Sequence, residues 1–278
     1  MRSAVGFVTH LFSASVRERY LKLKSELCEI DTFIVAEQGT PIPEEFHGET
    51  VFFSFEELRE SVPRILGTTL IPGNCHLTML AFSRGRPGYE FYWQIEYDVV
   101  FRGSWKTFFD AWKGDKSDLL AAHLRSEGEE PEWNWWDSMV IPTSVSKCRA
   151  FLPIYRISSR GLSVLNERVQ HGWSGHFEAL IPSALKHASL TTNDLGEGRF
   201  YTSFNSPDGV LSAGTHRTWP PHIFPLLGRD LIYHPVKPSS ARSASRPTLL
   251  QLLGMLRLRE FWRTLLVEFR SWLPQIRD

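Results

Sequence analysis

The chain has 278 residues, 42% hydrophobic and 13% aromatic, enough apolar surface to fill one large domain or two small ones. Its 31 basic and 31 acidic side chains cancel, which excludes a global basic field for nucleic acid and the charge excess that keeps a chain disordered. Cys28, Cys75 and Cys148 form neither a disulfide framework nor a CxxC zinc pattern and point to a reducing cytoplasmic setting, while no run reaches the roughly 18 apolar residues that span a bilayer.

The elements follow in chain order. "AVGFVTH" (4–10) predicts a strand. "SASVRERYLKLKSELCEI" predicts a helix, because Val16, Tyr20, Leu23 and Leu27 recur at three- and four-residue steps. "DTFIVAEQG" (31–39) and "ETVFFSF" (49–55) predict two more strands, and "SFEELRESV" a helix with a capping box of Ser54 and Glu57. Strand–helix–strand order at the start predicts a parallel sheet with helices on its faces. "GNCHLTMLAFSR" (73–84) predicts a helix capped at Asn74, "YEFYWQIEYDVVF" a strand, "SWKTFFDAWKG" a helix and "SDLLAAHLR" (117–125) a strand.

From residue 126 the texture changes to "SEGEEPEWNWWDSMVIP", an acidic, Trp-dense loop expected to separate two halves. "CRAFLPIYRIS" (148–158) predicts a strand, "SSRGLSVLNERVQHG" (158–172) a helix and "HFEALIPSALKHA" a short strand, a turn and a helix. Residues 193–230, rich in Gly, Pro, Asn and Ser, read as a long irregular segment, and "RDLIYHPVK" (229–237) as a last short strand. The expected division is 1–125 and 126–238 as two halves of one domain, then 239–278 as a separate linker and helix.

The residues that can carry chemistry sit at strand ends. On an extended strand, residues two apart share a face, so Glu96 and Asp98 in "WQIEYDVVF" can converge on a hard divalent cation, Mn²⁺ or Mg²⁺. The plain alternative is a solvated strand end. Trp133, Trp135 and Trp136 fit core or a lid anchor better than a sugar platform. No GxxxxGK[ST], no GxGxxG after a strand and no GxSxG elbow is present, so kinase, dehydrogenase and α/β-hydrolase readings lose support.

Over residues 4–237, "WQIEYDVVF", "DLLAAHLR", "GWSGHFEALIP" and "LIYHPVK" resemble the metal-dependent nucleotide-sugar glycosyltransferases of the GT-A type, and within them a group of bacterial and fungal proteins. Members carry a short acidic motif, usually Asp-x-Asp with variants, on the strand entering the donor site. The resemblance implies a GT-A-like (Rossmann-like) α/β fold, a mainly parallel sheet flanked by helices. It implies Glu96, Asp98 and His234 as metal ligands, Lys237 near a donor phosphate, and Glu178 as the base that deprotonates an acceptor hydroxyl in an inverting displacement. Thr9, His10, Glu37 and Gln38, which end the first two strands, fall where a nucleotide base and ribose lie. The implied partners are a nucleotide-sugar donor and a saccharide or glycolipid acceptor, in surface polysaccharide or lipopolysaccharide synthesis. Two other readings stay open: a non-catalytic carbohydrate- or nucleotide-binding module, and a peripheral membrane adaptor.

The adaptor reading rests on the tail. Residues 239–278 hold seven arginines against three carboxylates, a net +4 that leaves −4 on the rest. "TLLQLLGMLRLREFWRTLLVEFRSWLP" (248–274) has helical period with an arginine-edged polar stripe and Trp262 and Trp272. That composition fits a helix lying on the inner face of a membrane or one packed on the domain. The preceding Ser- and Arg-rich stretch reads as a flexible linker.

Overall fold

A computed structural model describes residues 2–196, 199–201, 203–205, 211–213 and 230–238. The helix expected at 248–274 and its linker lie outside the described residues. Among the described residues no helix is long and apolar enough to cross a membrane.

Strand β1 (Ser3–Thr9) leads into α1 (Ala14–Glu26), β2 (Asp31–Glu37), β3 (Thr50–Phe53), α2 (Phe55–Glu60) and α3 (His76–Gly85). There follow β4 (Phe91–Glu96), β5 (Val100–Phe101), α4 (Trp105–Ala111), β6 (Leu119–Ser126), β7 (Cys148–Ser158), α5 (Ser159–Gln170) and α6 (Phe177–His187). Short strands complete the order: β8 (Thr192–Asp194), β9 (Ser203–Asn205), β10 (Leu211–Ala213) and β11 (Ile232–Tyr233). Seven strands form one sheet in the order β3-β2-β1-β4-β7-β6-β8. The pairs β1–β2, β2–β3, β1–β4 and β6–β8 are parallel, and β7 runs antiparallel to both neighbours. The fold is the expected α/β arrangement, a mainly parallel sheet flanked by helices.

Alternation along the strands separates two cores. Ala4, Val35, Tyr92 and Leu152 face one side, where Leu77 and Phe82 of α3, Leu165 of α5 and Leu180 of α6 cover them. Val5, Phe7, Ile34, Trp93 and Ile154 face the other, under Tyr20 of α1 and Phe108 of α4. Strands buried on both faces need continuous apolar runs, which is why "AVGFV" and "FYWQI" carry so few charges. Gly6 in the middle of β1 makes room for α3, since a Cβ there would meet the Phe82 ring at 2.9 Å.

Four expectations change. The strand from Tyr89 stops at Glu96, because Val99 N–H donates to the Glu96 carbonyl at 2.9 Å and closes a turn. "HFEALIPS" contains no strand: α6 starts at Phe177, with the His176 ring accepting from Glu178 N–H at 3.4 Å as an N-cap. Asn74 does not cap α3, whose N-cap is Cys75; it is fully buried and spans the preceding loop, bonding Leu66 N–H and the Leu66 and Thr69 carbonyls. In the segment expected to be irregular (193–230), the described residues include the end of β8 and the antiparallel pair β9–β10, and most of the rest lies outside the described residues. The capping box is half seen, with Ser54 accepting from Glu57 N–H at 3.3 Å. In the acidic loop, Trp133 and Trp136 are buried against Ala179 of α6, the core reading of that cluster.

Candidate active site

The chain runs β1 to β2 to β3 on one side of β1 and returns to place β4 on the other. Loops leaving the carboxyl ends of β1 and β4 therefore diverge, and the crevice between them is where open parallel sheets hold ligands. A cavity of about 420 Å³ opens there, its wall including Thr9, His10, Glu37, Glu96, Asp98, Glu178, His234 and Lys237. Thus eight of the nine nominated residues meet in one place, although they span the chain from β1 to β11. Gln38 is not in that wall; its backbone N–H donates to the Phe53 carbonyl at 2.7 Å.

Thr9 is buried and its hydroxyl bonds the Leu11 carbonyl, closing the turn after β1. His10 sets its ring edge-on to Tyr97, centroids 4.8 Å apart at 87°. Glu37 remains exposed at the end of β2.

Glu96 and Asp98 converge through a tight turn rather than along a strand. Tyr97 N–H donates to the Val8 carbonyl at 2.9 Å, fixing the turn to β1. Pairing of β11 with β5, Tyr233 opposite Val100, then carries residues 234–237 over it, and Val236 N–H donates to the Asp98 carbonyl at 2.8 Å. His234 Nε2 lies 3.2 Å from Glu96 Oε2 and 3.5 Å from Asp98 Oδ1, while Lys237 Nζ bonds Asp98 Oδ2 and, at 3.2 Å, the Tyr97 hydroxyl. One ligand atom from each of Glu96, Asp98 and His234 lies within 4.8 Å of the others. Asp98 Oδ1 is buried without a hydrogen bond, so it retains a lone pair to offer a cation, and Lys237 on Oδ2 leaves that offer intact. Two carboxylates and an imidazole suit Mn²⁺, and the carboxylates suit Mg²⁺. The residues fit such an ion.

Burial alone would raise the Asp98 carboxyl, yet His234, 3.5 Å from Oδ1, and Lys237, bonded to Oδ2, hold it down at about 2. At His234 the contacts with Asp98 and Glu96 overcome burial and push the imidazole up to about 9.

Sequence reasoning did not find Arg19. From α1 its guanidinium donates to the Tyr97 carbonyl at 3.0 Å and the Val236 carbonyl at 2.7 Å, tying the acidic turn to the segment that carries His234. In sequence it is one more charge beside the apolar stripe, and only the fold reveals its partners. Arg19→Ala is expected to lower unfolding free energy by about 2 kcal/mol, the worth of hydrogen bonds to a charged donor. Hydrogen exchange at Val236 N–H should quicken with it. Unchanged exchange there would mean that the segment is held without Arg19.

Glu178 lies in the first turn of α6, its side chain 13% exposed, with Oε1 accepting from Leu152 N–H at 3.3 Å. Burial pushes its carboxyl up to about 7 against the opposing Arg149 charge. Arg149 is itself bound to Glu130, which also meets His123 Nε2 at 2.7 Å, a buried network behind the site. Burial, aided by Arg149, lowers His176 to about 4, so this ring is neutral at pH 7. Gly175, at φ +141°, lets the chain turn sharply into α6, where a Cβ at this position would stand 2.9 Å from Met139 Cα.

Residues 15–116 match a family described as protein of unknown function (DUF3405). None of the curated proteins matches the chain. Among solved structures, the galactosyltransferase LgtC in complex with donor and acceptor sugar analogs is similar over 72% of this chain and 74% of its own, at 10% identity and a TM-score of 0.41. Glucosyl-3-phosphoglycerate synthase from Mycobacterium tuberculosis, in complex with Mg²⁺ and uridine diphosphate, aligns over 70% and 69%, at 14% identity and 0.39. The inositol-1-phosphate CTP transferase from T. maritima aligns over 71% and 86%, at 11% identity and 0.38. At this level of similarity no substrate, ion or residue role passes from them to this chain.

Proposed function

We propose that this protein is a metal-dependent glycosyltransferase of GT-A type that moves a sugar from a nucleotide diphosphate donor to an acceptor hydroxyl. The observation that carries the proposal is the meeting of Glu96, Asp98 and His234 with the buried carboxyl of Glu178 in one crevice at the strand carboxyl ends. Thr9, His10 and Glu37 would border the nucleoside, and half-exposed Lys237 would turn toward the donor phosphates. Bound through Glu96, Asp98 and His234, Mn²⁺ or Mg²⁺ would neutralise the diphosphate.

Glu178 then supplies the base. Its carboxylate takes the proton of the acceptor hydroxyl, the oxygen bonds to the anomeric carbon, and the bond from that carbon to the diphosphate breaks with its electron pair on the leaving nucleotide. A carboxyl held near 7 accepts that proton more readily than an ordinary glutamate and still ionises at neutral pH. Attack from the face opposite the leaving group would invert the anomeric centre.

A second reading draws on the ion pairs. His234 and Lys237 already balance the charge of Glu96 and Asp98, as in a binding module that needs no ion. One experiment separates the two. A panel of nucleotide sugars is screened by thermal denaturation with and without Mn²⁺; a true donor at 100 times its dissociation constant adds about 2.7 kcal/mol of stability. The transferase reading expects that gain only with the ion and slow donor hydrolysis alongside it. Equal gain without the ion and no hydrolysis would favour the binding module, and no gain with any nucleotide sugar would overturn both.

A further inference from the structure

We infer that the hydroxyl this site glycosylates is carried next to an apolar group, an alkyl or aryl chain, and that the loop at residues 66–74 forms the subsite for that group. The inference rests on the transferase reading and narrows its acceptor. The cavity wall that holds Glu178 also includes Leu70, Ile71, Pro72, Phe151, Pro153 and Phe177, none of which can donate a side-chain hydrogen bond to sugar hydroxyls, and these outnumber its polar Thr78, Gln94 and His176. Ile71 is 64% exposed, the most exposed large hydrophobic residue among those described.

That exposure is built into the loop. Fully buried Asn74 uses both ends of its amide on Leu66 and Thr69, Asn74 N–H donates to the Leu70 carbonyl at 2.8 Å, and the Thr69 hydroxyl donates to the Ile71 carbonyl at 2.6 Å. The loop is also fastened to the helix that carries the base, since Phe177 N–H donates to the Gly73 carbonyl at 2.9 Å. A single exposed isoleucine is ordinary on a protein surface. Here a laced loop, joined to α6 through Gly73 and Phe177, holds it at a cavity that it shares with Glu178 and a set of apolar side chains. An apolar group attached to the reacting hydroxyl would cover that wall and remove it from water, whereas a free oligosaccharide would leave its own hydroxyls unpaired against it.

The test uses the nucleotide sugar that the full chain hydrolyses fastest. Ethanol, hexanol and benzyl alcohol are added, and the concentration of each that halves donor hydrolysis, or diverts it into glycoside, is measured. It should fall by about tenfold or more from ethanol to hexanol and benzyl alcohol, since each buried methylene favours binding several-fold. In Ile71→Asp, a change at an exposed side chain, that ratio of potencies, read against the variant's own rate of hydrolysis, should shrink to about twofold, and Ile71→Leu should restore it. Equal potency of the three alcohols on the wild type would overturn the inference and leave the transferase reading standing. No hydrolysis of any nucleotide sugar would overturn that reading and the acceptor subsite with it. Either source of such a hydroxyl supports the inference: transfer to hexyl glucoside in solution identifies a soluble glycoside, and transfer confined to dodecyl glucoside in phosphatidylcholine vesicles identifies a lipid-linked one.

Discussion

Glu178→Gln is expected to lower glycosyl transfer by about 10² to 10⁴ while leaving donor binding in place, the usual worth of a positioned general base. The amide keeps the shape that meets Leu152 N–H but cannot take a proton. Transfer by the wild type should climb with pH through about 7, where this carboxyl ionises, and the climb should vanish in the variant. Stability should move oppositely. The folded state holds the proton of Glu178 up to about 7, the unfolded chain only to about 4.5, so between those values the native protein binds more protons and loses stability as pH rises. The loss is on the order of 3 kcal/mol by pH 8. Glu178→Gln removes it, and melting curves at pH 5 and pH 8 should show the variant gaining most at pH 8. A variant that transfers sugar at the wild-type rate would take Glu178 out of the chemistry.

Asp98→Asn is expected to abolish Mn²⁺-dependent nucleotide binding. The buried carboxylate offers Oδ1 to the cation and holds Lys237 on Oδ2, and an amide that turns its nitrogen toward either position repels what belongs there. The fold also loses something. A carboxyl held at about 2, against about 3.8 unfolded, contributes about 2 kcal/mol above pH 4 that disappears as pH falls toward 2. The melting temperature without ion should therefore drop modestly, and calorimetry with Mn²⁺ and a nucleoside diphosphate should register no metal-dependent heat. His234→Ala, at a more exposed position, provides the check if the first variant unfolds. Full retention of ion-dependent binding by both would remove the cluster from the proposal.

Sequence patterns located these residues better than they located the geometry. β7 begins at Cys148 and ends at Ser158, the limits expected from its apolar run between turn signals. α1 buries Val16, Tyr20 and Leu23, the residues that gave its period. Such patterns record how often a chain must face the core, and that frequency is written along each element. Two carboxylates at a strand end are likewise visible, which made Glu96 and Asp98 nameable before their meeting was seen, whereas His234 was named only through the resemblance to GT-A glycosyltransferases. Glu178 was named through the same resemblance, but not its place: Pro182, which breaks most helices, lies inside α6, and a turn was expected where the helix runs on.

What the sequence determined by itself is therefore the α/β class, the parallel opening of the sheet and a short set of polar residues at its carboxyl ends. Tertiary structure alone decided how they converge. The turn after Glu96 is set by a bond from Tyr97 to β1, His234 reaches it because β11 pairs with β5 more than 130 residues away, and Arg19 ties the two together from α1. The rigid display of Ile71 depends on a buried Asn74 whose partners lie in the loop before it. Periodicity measures burial within one element. Contacts between elements depend on register and on which buried polar group finds which partner, and those are fixed only when the whole chain has packed.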